Sequence, residues 1–207
     1  INAFCKKQSK TPLQYLQDMG VLSEIELRQC KTEYKLELNE NERKTLSQTL
    51  ELPESVLKRA SEDMARNGLI IAQIIRLVEN MKKKVLVFAS SKDNSDFLAS
   101  LLILRGIKAK SVTGETNFTD RVSSVEMFRE NRLQVLLNYN VFTAGFDDPK
   151  IDCIFIARPT YSVVLYSQMV GRGLRGPLNG GTKKCLLVDV IDNIESQPDI
   201  NYAHDYF

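Results

Sequence analysis

The chain has 207 residues, 43% hydrophobic and 26% charged, with a net charge of +2. That balance suits one globular domain with a small attachment and excludes both a disordered chain and a strongly basic nucleic-acid wrapper. No apolar run approaches the roughly 18 residues a membrane-spanning helix needs; beginning at Ile1 with no signal-peptide pattern, the sequence reads as a segment of a longer cytoplasmic protein.

Residues 1–67 are polar and mostly helical in pattern. One stretch alternates, Lys31 to Leu38, where Tyr34, Leu36 and Leu38 share one strand face. Pro53 starts a new helix, and Leu57, Ala60, Met64 and Leu69 repeat near helical spacing. From about residue 70 the chain alternates regularly. Strands are expected at Lys84–Ala89, Ile107–Val112, Leu133–Leu137, Ile151–Ala157 and Lys183–Val190. Helices are expected at Asp93–Arg105 (closed by Gly106), Phe118–Glu130 and Tyr161–Leu174. Short, nearly continuous apolar strands separated by helices predict an α/β domain, a doubly wound parallel sheet covered on both faces. In such folds functional groups gather at the carboxyl ends of the strands.

Two segments carry chemistry. In Gln168-Met169-Val170-Gly171-Arg172-Gly173-Leu174-Arg175, a continuous helix puts Gln168, Arg172 and Arg175 on one face over about 10 Å. Gly171 and Gly173 let another surface approach, at a helix cost of about 1 kcal/mol each. The plainer alternative is a solvated C-terminal turn, with arginine favouring the helix dipole and glycine ending the helix. The second segment is the loop Thr143-Ala144-Gly145-Phe146-Asp147-Asp148-Pro149. Its Thr143 hydroxyl and N–H suit a phosphodiester, Gly145 permits close backbone approach, and Asp147 suits ribose hydroxyls. A βα turn in which Asp and Gly serve local geometry alone is the alternative. Cys5, Cys30, Cys153 and Cys185 form no CxxC pair, and the single His204 completes neither a metal site nor a triad.

Gly145-Phe146-Asp147 after an apolar strand, then Arg158-Pro159-Thr160-Tyr161-Ser162, then QMVGRGLR, resembles motifs V and VI of superfamily 2 helicases. The branch most similar contains the excision-repair and restriction-enzyme translocases. Lys84–Ser91 is similar to motif IV, and Val112-Thr113-Gly114 with Arg121 and Phe128 to motif IVa and its surroundings. The resemblance spans residues 84 to about 193. It implies a RecA-like fold, the second motor domain of an ATP-dependent helicase or translocase. Arg172 and Arg175 then match the arginines that reach the γ-phosphate across an interdomain cleft, and Gln168 the residue beside them. Gly145 and Asp147 match the ribose side of ATP. Thr143 matches a contact to the nucleic-acid backbone, with Ser90, Ser91, Thr113 and Arg121 as candidates for the same strand. Guanidinium planes suit bidentate phosphate contact.

Neither a P-loop lysine nor a Walker B acid pair is present. Gly176–Lys183 reverses Thr and Lys and precedes a strand, and Leu186-Leu187-Val188-Asp189 lacks a Glu after Asp189. ATP with Mg2+ is therefore expected to be held mainly by an N-terminal motor domain of the same protein, and this segment alone is expected to be inactive. Residues 1–40 read as the tail of that domain or a linker, 41–70 as a helical insertion, 71–195 as the second motor domain and 196–207 as a tail. The expected polymer partner is nucleic acid, DNA preferred through the branch resembled and RNA not excluded; no membrane or resident metal is expected. The competing reading is a non-hydrolysing nucleic-acid or protein-binding module on the same fold. An unrelated small-molecule domain is disfavoured by the absence of a glycine-rich turn after the first strand.

Overall fold

The computed structural model describes residues 11–141, 148 and 150–194. Six parallel strands form one sheet: β1 (Glu24–Leu36), β2 (Val85–Phe88), β3 (Ala109–Val112), β4 (Val135–Asn138), β5 (Cys153–Ile156) and β6 (Lys184–Ile194). Their spatial order is β1-β6-β5-β2-β4-β3. In chain order the helices are α1 (Pro12–Asp18), α2 (Glu40–Thr49), α3 (Glu54–Glu62), α4 (Met64–Glu79), α5 (Lys92–Leu104), α6 (Phe118–Arg129) and α7 (Val163–Val170).

Strand alternation splits the core into two layers. Val85 and Val87 of β2 join α4 and α5 on the first face, with Ile70, Ile74, Leu77, Leu98 and Leu102. Leu86 and Phe88 join α6 and α7 on the second, with Phe128, Tyr166, Met169 and Val170. The doubly wound, RecA-like sheet expected from the sequence is the observed one. The four helices that cover the sheet start where a polar side chain takes an orphan N–H: Asp63 accepts from the Arg66 N–H in α4, Ser91 from Asn94 in α5, Asn117 from Asp120 in α6 and Ser162 from Leu165 in α7.

The amino-terminal region departs from expectation. The alternating stretch, read within a tail or linker, belongs to a longer strand that completes the sheet as a sixth, edge strand. β1 runs in register with β6 from Glu24 opposite Lys184 to Lys31 opposite Ile191, with a shift before Lys35. Its charged, half-exposed alternation is that of an edge strand, blunted against pairing with a further chain. Among the described residues β6 alone offers it a backbone partner, so periodicity revealed the strand while its place in the sheet needed the fold. Beyond β1, α2 and α3 bury Leu46, Val56 and Leu57 with Leu36, Leu38 and Tyr161 in a separate small core.

Candidate arginine turn and strand-tip interface

The QMVGRGLR segment does not form one helix. α7 buries Tyr166, Met169 and Val170 and ends at Val170. Gly171–Gly173 continues as a single 3-10 turn. Gln168 is exposed on α7, Arg172 is half-buried in the turn, and Arg175 is exposed beyond it. Of the three expected i, i+4, i+7 positions, only Gln168 therefore lies within α7. The physical reason is Gly173, which is buried flat against the sheet. A Cβ there would stand 2.4 Å from Cys185 Sγ and 2.8 Å from Ile154 Cγ1, whereas Gly171 has nothing within 4 Å. The surface that the glycine admits is the chain's own β5 and β6.

The stretch after the turn is clamped by the residues leading into β1. Leu22 and Arg175 form an antiparallel bridge, and Ser23 N donates to Leu174 O at 2.9 Å. Ser23 Oγ lies 2.7 Å from the carbonyls of both Arg175 and Thr182. Gly176 N donates to Val21 O, and a Cβ on Gly176 would come within 2.3 Å of Gly20 O. Glu24 and Lys184 begin their strands beside this clamp, so the arginines lie toward the amino edge of the sheet. Sequence reasoning missed the clamp; Gly20, at φ 72° just after α1, is its local signal.

Of the remaining candidates, Ser90, Ser91, Thr113 and Arg121 stand at the opposite, carboxyl edge. Ser90 is fully buried, its Oγ donating to Ala157 O at 2.9 Å and receiving Arg66 at 3.3 Å. Its hydroxyl ties strand tips together and is not presented at the surface. Ser91 caps α5 through Asn94 N. Thr113 is buried and donates its N–H to Thr116 Oγ1 at 2.9 Å, while the half-buried Arg121 donates to Thr116 O at 3.2 Å. Thr113 and Arg121 thus meet through Thr116. Thr143, Gly145 and Asp147 lie outside the described residues.

Three buried polar contacts frame these edges. Arg66, on the same i, i+4 stripe as Ile70 and Ile74, pairs with Asp192 at 2.8 Å and donates to Ala157 O at 2.5 Å, and Thr32 also donates to Asp192. An arginine on an apolar helical stripe was its signal. Lys84 pairs with Asp148 at 2.8 Å. Tyr166 donates to Asp189 at 3.0 Å. Burial pushes the Asp189 carboxyl up to about 7, against the lowering effect of that hydrogen bond. The Asp that resembled part of a Walker B strand is therefore a buried anchor for α7. Among the described residues no group of three or more His, Cys, Asp or Glu side chains is placed to hold a metal ion.

A family model of the helicase conserved C-terminal domain matches residues 69–176, more than half of the chain. The chain belongs to this family. IRC3 of Saccharomyces cerevisiae is 37% identical over 113 residues, covering 55% of this chain and 16% of the relative. The irc3 protein of Schizosaccharomyces pombe is 40% identical over 113 residues, covering 55% and 18%. Both are named as ATP-dependent helicases, the second as mitochondrial. The helicase C-terminal domain thus spans less than a fifth of the length of these two relatives. Among solved structures, the C-terminal part of the Fun30 ATPase domain matches with TM-score 0.55 and 16% identity, over 68% of this chain and 43% of that one. A DEAD box protein of Methanococcus jannaschii matches with TM-score 0.52 and 22% identity, over 77% and 35%. These two likenesses support the fold. No helix among the described residues is long and apolar enough to cross a membrane.

Proposed function

We propose that this chain is the second motor domain of an ATP-dependent DNA helicase or translocase. Arg172 and Arg175, with Gln168, serve a nucleotide held with Mg2+ by an N-terminal motor domain of the same protein. The observation that carries this reading is the build of the arginine turn. Its backbone is fixed from both sides, by Gly173 against β5 and β6 and by Ser23 at Arg175, while Gln168 and Arg175 are exposed. A guanidinium on a braced backbone reaches a phosphate outside its own domain with little reorganisation.

Gly145 and Asp147 take the ribose side of the nucleotide in this reading. Thr143, Thr113, Arg121 and Ser91 take the nucleic-acid backbone, with Ser90 bracing the β2 loop from inside. Strand contacts through phosphates make binding salt-dependent and sequence-tolerant. ATP closing the cleft between the two motors and hydrolysis reopening it would then move the strand. This chain alone, lacking the phosphate cradle, is proposed to be inactive. DNA is the proposed track through the translocase-like motifs, and RNA is the comparison activator, since one relative, ddx41 of Dictyostelium discoideum, is named as an RNA helicase. The proposed compartment is the cytoplasm, to be tested by fractionation against mitochondrial markers.

The test is Arg175→Ala in the full-length protein. An arginine finger is typically worth about 10³–10⁵ in rate, so nucleic-acid-stimulated ATPase is expected to fall by at least about a thousandfold, with an unchanged melting temperature. A near-normal kcat in that variant refutes the finger assignment. The competing binding module predicts no stimulated ATPase in the parent protein.

A further inference from the structure

The segment after β5 carries an arginine to which the reading above assigns no role. Arg158 is the second residue beyond β5, at the carboxyl edge, and its surroundings follow from the winding of the sheet. From β2 the chain passes to α5 on the first face; from β5 it passes to α7 on the second. β2 and β5 are hydrogen-bonded neighbours. Adjacent strands whose connections part to opposite faces leave a crevice between their tips, where ligands settle in open parallel sheets. Beneath that point Ser90 Oγ holds the Ala157 carbonyl and Arg66 donates to both. Arg158 and Ser91 are the next residues outward on the two chains.

The environment of Arg158 fits an anion. Its guanidinium carbon lies 5.2 Å from the centroid of the Tyr139 ring, and one amino group donates to Asn140 Oδ1. Asn140 holds the left-handed conformation at φ 56°, which fixes the edge of this seat immediately beyond β4. Of five guanidinium N–H groups, Asn140 takes one, and no carboxylate among the described residues forms an ion pair with it. Other cations at this edge differ: Lys92 is engaged by Glu115 at 2.6 Å and Arg66 by Asp192. Burial holds the Arg158 pKa below the ordinary arginine value, while Tyr139, Glu51 and Glu54 oppose this from a distance. A half-buried cation with no ion-paired carboxylate among the described residues, braced by a ring and an amide, gains most from a ligand bearing two acceptor oxygens.

We propose that Arg158, braced by Tyr139 and Asn140, binds a phosphodiester of the nucleic-acid strand at the crevice between β2 and β5. This rests on the nucleic-acid reading given above. The contact adds a charged anchor at the carboxyl edge, the edge that also holds the Thr113–Arg121 corner. Because it meets phosphate alone, it strengthens binding without selecting sequence.

The experiment measures the affinity of the full-length protein for a fluorescein-labelled single-stranded DNA and RNA oligonucleotide across a salt series. Loss of one phosphate contact lowers the slope of log K against log salt by about 0.7 for a single strand. Arg158→Ala is expected to show that change with a weakening of roughly 10-fold or more at low salt. Arg158→Lys is expected to keep the slope and part of the affinity. Arg158→Gln, which retains a donor for Asn140, stands in if the alanine variant melts early. An unchanged slope and Kd in Arg158→Ala and Arg158→Gln, with the parent binding normally, overturns this inference and leaves the nucleic-acid reading in place. ATPase lost with strand affinity intact assigns Arg158 to the neighbouring motor domain and also overturns it. A parent with no salt-dependent binding to either strand removes both readings.

Discussion

Gly173→Ala isolates the contact on which the arginine turn is built. The added methyl falls 2.4 Å from Cys185 Sγ and 2.8 Å from Ile154 Cγ1. Both neighbours are buried on paired strands, at 3% and 1% exposure, so neither is a free end that can swing aside. Forcing a methyl into a close-packed core typically costs about 1–3 kcal/mol. Gly173 is not among the positive-φ residues, so alanine also restricts the unfolded chain and recovers about 0.4–1 kcal/mol. The expected net loss is roughly 1–2 kcal/mol, or a melting point lower by about 2–8 °C for a domain of this size. Cys185→Ala removes the sulfur and leaves the Ile154 contact, so the double variant is expected to be less unstable than the sum of the singles by at least about 0.5 kcal/mol. Circular-dichroism melts and urea unfolding of the parent, both single variants and the double variant supply the cycle. A Gly173→Ala melt superimposed on the parent, or full additivity in the cycle, refutes the account of why α7 stops at Val170.

Two further perturbations test the buried polar contacts. Burial raises the Asp189 pKa from 3.8 to about 7, so between those values the folded chain holds a proton that the unfolded chain has released. Stability from this group is complete below its unfolded pKa and is lost as pH rises through about 7. Asp189→Asn should therefore gain on the parent in urea midpoint between about pH 5 and about pH 8; parallel pH profiles refute the shift. Arg66→Met leaves the Asp192 carboxylate, 1% exposed, without its guanidinium, and should cost about 3–5 kcal/mol in urea unfolding, with part recovered by adding Asp192→Asn. A loss below about 1 kcal/mol shows that the pair does not hold the strand tips.

The sheet was legible wherever a strand is buried on both faces. Val85–Phe88 and Cys153–Ile156 are apolar without interruption and Val135–Asn138 is apolar up to its last residue, because α4 and α5 cover one side and α6 and α7 the other. β1 was legible as a strand in part and illegible as a member of the sheet. An edge strand keeps one row of backbone groups toward solvent and needs no continuous apolar run, so Glu24–Leu36 resembles any alternating polar stretch. Its partner, β6, lies some 160 residues away in sequence, and no local pattern encodes a pairing of that range.

The arginine turn was legible in composition and misread in shape, and the misreading has a single cause. Residue spacing converts to a shared face only while the backbone stays helical, and two glycines within three residues withdraw that guarantee. Gly171 and Gly173 look equivalent in sequence, yet one borders open space and the other is pressed on Cys185 and Ile154. The difference lies in what the sheet presents beneath each residue. Leu174 and Arg175 are then fixed by Leu22 and Ser23, residues from the far end of the chain. It follows that β1 and the segment before it act on the arginines as directly as α7 does. A change at Ser23 that leaves the family motif untouched removes the hydroxyl between the Arg175 and Thr182 carbonyls, and so alters where the guanidinium stands without altering its chemistry.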